Sequence, residues 1–155
     1  MTQAISVVLI TLNAGTQLEA CLKSVDFADE KLIVDSGSND NTLQIARSHG
    51  AKVVEKEWMG FGPQKQFAVE SARNDWVLCL DADERLGAEL SAELQKELTA
   101  PRAFAYEMPR CNKFMGRWLR HGEGYPDYCL RLFHRKHARW SDDSVHEVVV
   151  TQSPV

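Results

Sequence analysis

Four short apolar segments alternate with helix-like segments over residues 1–100, and this alternation constrains the fold more than any other feature of the sequence. The apolar segments are Ile5 to Ile10, Lys31 to Val34, Lys52 to Glu55 and Trp76 to Leu80. Runs of this length and composition are typical of strands in a parallel sheet. Strands that alternate with helices predict an α/β fold, in which a mainly parallel sheet has right-handed crossovers.

The predicted helices have their own sequence signals. Thr16 and Glu19 have the spacing of a capping box, which predicts that the first helix begins at Thr16. Gly50 is a stop for the second helix, and Pro63 is suited to the first position of the third. The fourth helix is amphipathic, with leucines that recur every four residues at Leu86, Leu90, Leu94 and Leu98.

The pattern changes after Pro101, which ends the fourth helix. Short alternating segments at 103–108, 128–133 and 145–151 predict antiparallel strands. We therefore expect one domain over residues 1–155, with a parallel half at 1–100 and an antiparallel half at 101–155. The length suits a single domain with its own core.

Charge and cysteine content indicate which partners and which cellular compartment to expect. The net charge is −4, but residues 1–100 carry −7 and residues 101–155 carry +3, which indicates either an anionic partner of the second half or a solvated basic face. The four cysteines form no close pair, as expected for reduced thiols rather than a zinc site. We expect a cytoplasmic protein, since the apolar run at residues 5–10 is too short to span a bilayer. We also expect no nucleic-acid partner.

Two carboxylates follow the fourth predicted strand, at Asp81 and Asp83. Ligands of open α/β sheets bind outside the carboxyl ends of the strands. Carboxylates at such an end can hold Mg²⁺ or Mn²⁺ together with phosphate oxygens. An ordinary acidic loop remains the alternative for this stretch taken alone.

Asp35 ends the second predicted strand, so it is expected on the same rim as Asp81 and Asp83. An acidic residue at this place commonly binds ribose or base, and its alternative role is that of a turn residue. The sequence has no G-x-G-x-x-G and no P-loop motif. A nucleotide pocket of another kind is therefore predicted at this rim.

Three ordered segments carry a family resemblance: Ile5–Asn13, Ile33–Thr42 (IVDSGSNDNT) and Leu78–Glu84 (LCLDADE). They resemble the family 2 glycosyltransferases, which have the GT-A (Rossmann-like) nucleotide-sugar-binding fold. The later GYPDYCLRLF and VHE are similar to the bacterial branch that adds glucose or a similar sugar to the lipopolysaccharide inner core.

The resemblance implies a role for several residues. Thr11 and Asn13 would line the uridine pocket, and Asp35 would bind uracil or ribose. The family usually has a second aspartate after Asp35, where this chain has Ser36. Asp81 would contact ribose or metal, and Asp83 would hold Mg²⁺ or Mn²⁺ on the diphosphate.

The general base and the phosphate contacts have more than one candidate. Asp127, before a segment that contains Arg131, fits the place of the base, and Glu147 is its rival. His146 would be a metal ligand or phosphate contact, or simply structural. Four cations could meet phosphates or remain solvated on the surface: Lys65, Arg117, Arg120 and Arg131.

The activity implied by the resemblance is single-displacement, inverting transfer of a sugar from a UDP-sugar to a lipid-linked saccharide, with at most peripheral membrane contact. The family normally continues well past the VHE region, so the acceptor side is expected to be truncated here. Two alternatives stay open: a polyprenyl-phosphate sugar transferase, disfavoured by the lack of apolar membrane helices, and a non-catalytic nucleotide-binding fragment.

Overall fold

The computed structural model describes residues 2–109, 128–143 and 147–151, and all statements on structure refer to these ranges. The strands are β1 Ile5–Thr11, β2 Glu30–Asp35, β3 Lys52–Glu55, β4 Trp76–Cys79, β5 Ala105–Pro109, β6 Tyr128–His134, β7 Ala138–Trp140 and β8 Val149–Thr151. The helices are α1 Leu18–Lys23, α2 Thr42–Ser48, α3 Phe61–Ser71 and α4 Ala88–Glu97.

Six strands form one sheet in the order β3-β2-β1-β4-β6-β5. The first four in sequence are parallel, and β6 and β5 join antiparallel beside β4. Strands β7 and β8 form a separate antiparallel pair. The predicted α/β class, with a mainly parallel sheet and an antiparallel C-terminal portion, is confirmed.

Both faces of the sheet are covered by packed side chains. Successive side chains of a strand point to opposite sides, so one strand contributes to both clusters. In β1, Val7 and Leu9 belong to the core cluster that contains Leu18, Leu22 and Leu94 from the helices α1 and α4. Val8 belongs to the other cluster, together with Ala68 and Val69 of α3 and Trp140 of β7. The continuous apolar runs thus supply two cores at once.

The predicted capping box is wrong. Helix α1 begins at Leu18, and its N-cap residue Gln17 makes no side-chain cap bond. The first turn starts instead at Ala14, whose carbonyl accepts hydrogen bonds from the amides of Gln17 and Leu18 at 3.1 and 3.0 Å. Thr42 Oγ1 accepts a bond from the Ala14 amide at 2.8 Å, so a tertiary contact sets this helix start.

Two other details differ from the sequence prediction. Helix α3 begins at Phe61, two residues before Pro63, and β7 was not predicted. The amphipathic prediction for α4 is confirmed by Leu94, which is buried, and Leu90, which packs against the same core. Leu86 and Leu98 are also buried, but they flank the helix, which begins at Ala88 and ends at Glu97. Among the described residues, no helix has the length and apolar character needed to cross a bilayer.

Candidate active site

A cleft of about 590 Å³ opens at the carboxyl ends of the parallel strands. β1 lies between β2 and β4, so the strand order reverses beside β1, as expected for a ligand-binding crevice. The strand ends contribute Ile10, Thr11, Leu12, Ser36, Asp81 and Asp83. Trp58, Phe61 and Lys65, from α3 and the loop before it, also line the cleft, as does Glu147, which precedes β8.

Asp35 is completely buried beneath the loop that follows β2. Its Oδ1 accepts hydrogen bonds from Thr11 Oγ1 at 2.6 Å and Ser38 Oγ at 2.5 Å. Its Oδ2 accepts from the amides of Gly37 at 2.9 Å and Ser38 at 2.7 Å. Burial by itself would raise the pKa of Asp35, but the bonds from Ser38 and Thr11 outweigh it and hold this pKa below its ordinary value.

Asn13 ties the end of β1 to the same loop. It has a left-handed backbone, with φ of 51°, which asparagine tolerates better than most residues. Its amide donates to Ser38 Oγ at 2.7 Å, and its side-chain Oδ1 accepts from the Asn39 amide at 2.9 Å. Asn13 and Asp35 thus shape the loop, whereas Thr11 and Ser36 line the cleft.

Glu84 stabilises the acidic turn after β4 through two hydrogen bonds with the Asp81 backbone. The Asp81 amide donates to Glu84 Oε1 at 2.7 Å, and the Glu84 amide donates back to the Asp81 carbonyl at 2.9 Å. Arg131 of β6 donates to Glu84 Oε2 at 3.3 Å and lies 3.6 Å from the Asp81 carboxylate. The direction of the Asp81 side chain is therefore coupled to the antiparallel part of the sheet.

Lys65 reaches the cleft from α3. Its ammonium lies 2.6 Å from Glu147 Oε2 and 3.6 Å from Asp81 Oδ1. The same ammonium lies 4.5 Å from the centre of the Trp140 ring, a cation–π distance. Lys65 and Arg131 are only 9% and 7% exposed, so the alternative of solvated surface cations is wrong for both.

The two candidates for the general base are placed differently. Glu147 lies in the cleft, two residues ahead of β8, and accepts a hydrogen bond from Lys65. Asp127 lies outside the described residues. The same holds for the other predicted site residues of that region: Arg117, Arg120 and His146.

Some residues of the cleft were missed by sequence reasoning. Trp58 and Phe61 were not proposed for any site, and Glu84 was noted only as part of the acidic run. The signal for Glu84 was its place three residues after Asp81, the spacing at which a side chain can return to a backbone amide. The signal for Trp58 and Phe61 was a tryptophan two residues before a Gly-Phe-Gly-Pro segment that itself contains Phe61.

The chemistry of the acidic turn fits a hard divalent cation. Asp81 and Asp83 place carboxylates on one cleft, and Mg²⁺ typically takes one or two carboxylates together with phosphate oxygens. A cluster of three or more metal-binding side chains is absent from the described ranges, and His146 lies outside them. The two aspartates thus fit a metal that a bound diphosphate helps to hold.

Comparison with known proteins agrees with this geometry. The sequence model described as Glycosyl transferase family 2 matches residues 6–154. An uncharacterized glycosyltransferase of Rickettsia bellii is 37% identical over 164 residues, covering 100% of this chain and 55% of the relative. The lipopolysaccharide core biosynthesis glycosyltransferase LpsC of Rhizobium meliloti is 38% identical over 101 residues, covering 62% of this chain and 37% of LpsC.

Similarity extends to a solved structure. Glucosyl-3-phosphoglycerate synthase from Mycobacterium tuberculosis, in complex with Mn²⁺, UDP and glucosyl-3-phosphoglycerate, superposes with a TM-score of 0.55 and 26% identity. The match covers 66% of this chain and 42% of the synthase. This chain spans about half the length of the Rickettsia relative. With a family match over nearly its whole length and a GT-A sheet, the chain belongs to the family 2 glycosyltransferases.

Proposed function

We propose that the protein transfers a sugar, glucose in the first instance, from a UDP-sugar to a saccharide of the lipopolysaccharide inner core. The observation that carries this proposal is the single cleft in which Thr11 and Ser36 meet Asp81 and Asp83 at the carboxyl ends of neighbouring strands. Such a cleft has room for a nucleoside at one side and a diphosphate at the other.

The nucleoside side consists of the ends of β1 and β2. Thr11 lines the cleft and also donates its hydroxyl hydrogen to Asp35. Because Asp35 and Asn13 order the loop that carries Ser36, they support this side even where they do not touch the ligand. A direct contact of Asp35 with uracil or ribose stays a prediction.

The diphosphate side consists of the acidic turn and the cations next to it. Asp83 and Asp81 would hold Mg²⁺ or Mn²⁺, which when bound supplies positive charge to the leaving diphosphate. Lys65 has a position from which its ammonium can contact a phosphate oxygen in the cleft. Arg131 lies 3.6 Å from the Asp81 carboxylate and donates a hydrogen bond to Glu84, which in turn accepts one from the Asp81 amide.

Deprotonation of the acceptor hydroxyl requires a carboxylate on the far side of the sugar from the leaving group. We assign this role to Asp127, since Glu147 is engaged by Lys65 at 2.6 Å. A single displacement inverts the anomeric centre, so no side chain needs to form a covalent intermediate. His146 remains a candidate third metal ligand.

The acceptor assignment has two supports. It rests on LpsC, which is named for lipopolysaccharide core biosynthesis, and on the net charge of +3 in residues 101–155, which suits an anionic acceptor. Transfer at the cytoplasmic face of the membrane, with peripheral contact, follows from a lipid-linked acceptor. A polyprenyl-phosphate acceptor is the alternative within the same enzyme class.

A second candidate function is donor binding without catalysis. This function needs only the donor side of the cleft, where Thr11, Ser36, Asp81 and Asp83 meet. The two functions separate in one pair of measurements: calorimetric titration of the chain with UDP and Mn²⁺, and transfer from UDP-glucose to a heptose-containing acceptor. Binding with turnover supports the proposed function, binding alone supports the second, and no binding contradicts both.

A further inference from the structure

Trp58 and Phe61 are half-exposed aromatic residues at the mouth of the cleft. Their side chains are 50% and 44% exposed, and their rings pack edge to face with centroids 4.8 Å apart. Large aromatic side chains normally bury their faces, so a pair held open beside a polar cleft indicates a ligand surface. Both residues line the same cleft as Asp81 and Asp83.

The loop that carries this pair is held in place by buried polar contacts. Gln64 is fully buried, and its side chain donates to the Lys56 carbonyl at 3.3 Å and accepts from the Met59 amide at 3.2 Å. One side chain therefore bridges the two ends of the segment that contains Trp58. The aromatic residues are displayed from an ordered backbone, which limits the entropy lost when a ligand binds.

The start of α3 is fixed as firmly on its other side. Gly60 has a φ of 101°, a conformation that residues with a side chain rarely adopt. The Gly62 amide donates to the Asp143 carbonyl at 3.0 Å, and a Cβ at Gly62 would collide with the carbonyl oxygens of Ser141 and Asp143. Phe61 lies between these two glycines, so its place at the cleft is determined on both sides.

The position of the loop indicates which part of a ligand it meets. The Lys56 amide donates to the Asp35 carbonyl at 2.9 Å, so the loop leaves the sheet beside the end of β2, next to Ser36. In the strand order, β2 and β3 lie on one side of β1, and β4, which Asp81 and Asp83 follow, lies on the other. The aromatic pair therefore belongs to the nucleoside side of the cleft.

We propose that Trp58 and Phe61 form a platform for the nucleobase of the donor, in which one ring stacks on the base and the other, at 86° to it, supports that ring edge-on; this inference rests on the proposed function. A base presents a flat π face, and stacking of that face on an aromatic side chain strengthens binding whatever the base. Polar residues of the cleft would bind the edges of the base and the phosphates, and the platform would contact the face of the base. Donor affinity, rather than the chemical step, depends on it.

The test compares UDP with a ligand that lacks the base. Binding of UDP with Mn²⁺ and of inorganic pyrophosphate with Mn²⁺ is measured by calorimetry for the parent, Trp58→Ala, Phe61→Ala and Trp58→Phe. Phe104→Ala is the control, since Phe104 is 41% exposed and does not line the cleft. The alanine variants are expected to raise the Kd for UDP on the order of 5- to 100-fold and to leave that for pyrophosphate unchanged. Trp58→Phe should recover most of the affinity.

Three results would overturn the platform. Equal UDP affinity in the parent and the alanine variants would contradict the platform. An equal loss of affinity for UDP and for pyrophosphate would show a general disturbance of the cleft instead of a lost contact with the base. In the transfer assay with a heptose-containing acceptor, a rise confined to the KM of the acceptor would place the aromatic pair at the acceptor sugar instead. If the parent itself binds no UDP, the proposed function fails and this inference with it, so the two failures are distinguishable.

Discussion

Lys65 on α3 and Glu147 ahead of β8 are 82 positions apart in sequence, and the Lys65 ammonium lies 2.6 Å from the Glu147 carboxylate. Both side chains are largely removed from water, with exposures of 11% and 17%. This ion pair joins the parallel part of the fold to the β7–β8 pair at the wall of the cleft. If either residue is replaced by a neutral one, the remaining charged group loses this ion-pair partner in a site with little access to water.

Lys65→Met is therefore expected to lower the free energy of unfolding by about 1–3 kcal/mol, less than for a fully buried pair because the site is partly solvated. The double variant Lys65→Met with Glu147→Gln should recover part of this loss. Urea unfolding of the parent, both single variants and the double variant measures the coupling. Strictly additive changes would show that the pair contributes nothing as a pair.

Asp83→Ala is expected to abolish the part of UDP binding that depends on a divalent cation. The reason is that Asp83 would be a carboxylate ligand of the metal, whereas the nucleoside side of the cleft is untouched. Calorimetry with UDP, with and without Mn²⁺, measures the effect independently of turnover. Glu93→Ala, on the exposed surface of α4, is the matched control. Unchanged Mn²⁺ dependence in Asp83→Ala would exclude a metal site at this residue.

Asp35→Asn is expected to destabilise the protein by about 1–3 kcal/mol at neutral pH, because an amide nitrogen cannot accept the hydrogen bonds that Asp35 receives. The folded-state pKa of Asp35 lies below its ordinary value of 3.8. Its stabilisation is therefore present above about pH 3.8 and is lost as the pH falls through the folded-state pKa. Thermal unfolding of parent and variant between pH 7 and pH 3 should show two curves that converge in acid.

A constant difference across that range would contradict the role of the Asp35 carboxylate charge. The same variant tests the nucleotide contact. If Asp35 also binds ribose or base, the Kd for UDP should rise at neutral pH, where the variant is still folded. Stability loss with unchanged UDP affinity would restrict Asp35 to ordering the loop.

Asp127→Asn is expected to keep UDP-sugar affinity near that of the parent and to lower single-turnover transfer by a factor on the order of 100 to 10,000. Glu147→Gln should reduce transfer less, since Glu147 is paired with Lys65. Transfer to a heptose-containing acceptor is measured, with donor affinity determined separately. Loss of transfer in Glu147→Gln, with activity retained in Asp127→Asn, would reverse the assignment of the base.

Local patterns in the sequence were sufficient to predict the parallel strands and helices of residues 1–100. β3 was predicted at its observed bounds, and β1, β2 and β4 to within one residue at each end. The reason is physical for β1, β2 and β4: burial on both faces favours a run of apolar residues, and such a run is visible without knowledge of its neighbours. The edge strand β3 is not buried, and its signal was the Val53–Val54 pair between turn residues. Asp81 and Asp83 could be placed on the rim because parallel strands present their carboxyl ends together.

Other features depended on contacts between distant segments. The start of α1 follows from Thr42, and the burial of Lys65 and Arg131 follows from the packing of α3 and β6 around Asp81. A sequence pattern shows which side chains prefer the interior, but not which of them meet after several crossovers. The sequence by itself thus determined the sheet and the rim that carries the site. Only the tertiary structure decided that Lys65 and Arg131 meet at Asp81, because they reach it from α3 and β6, and that Glu147 pairs with Lys65.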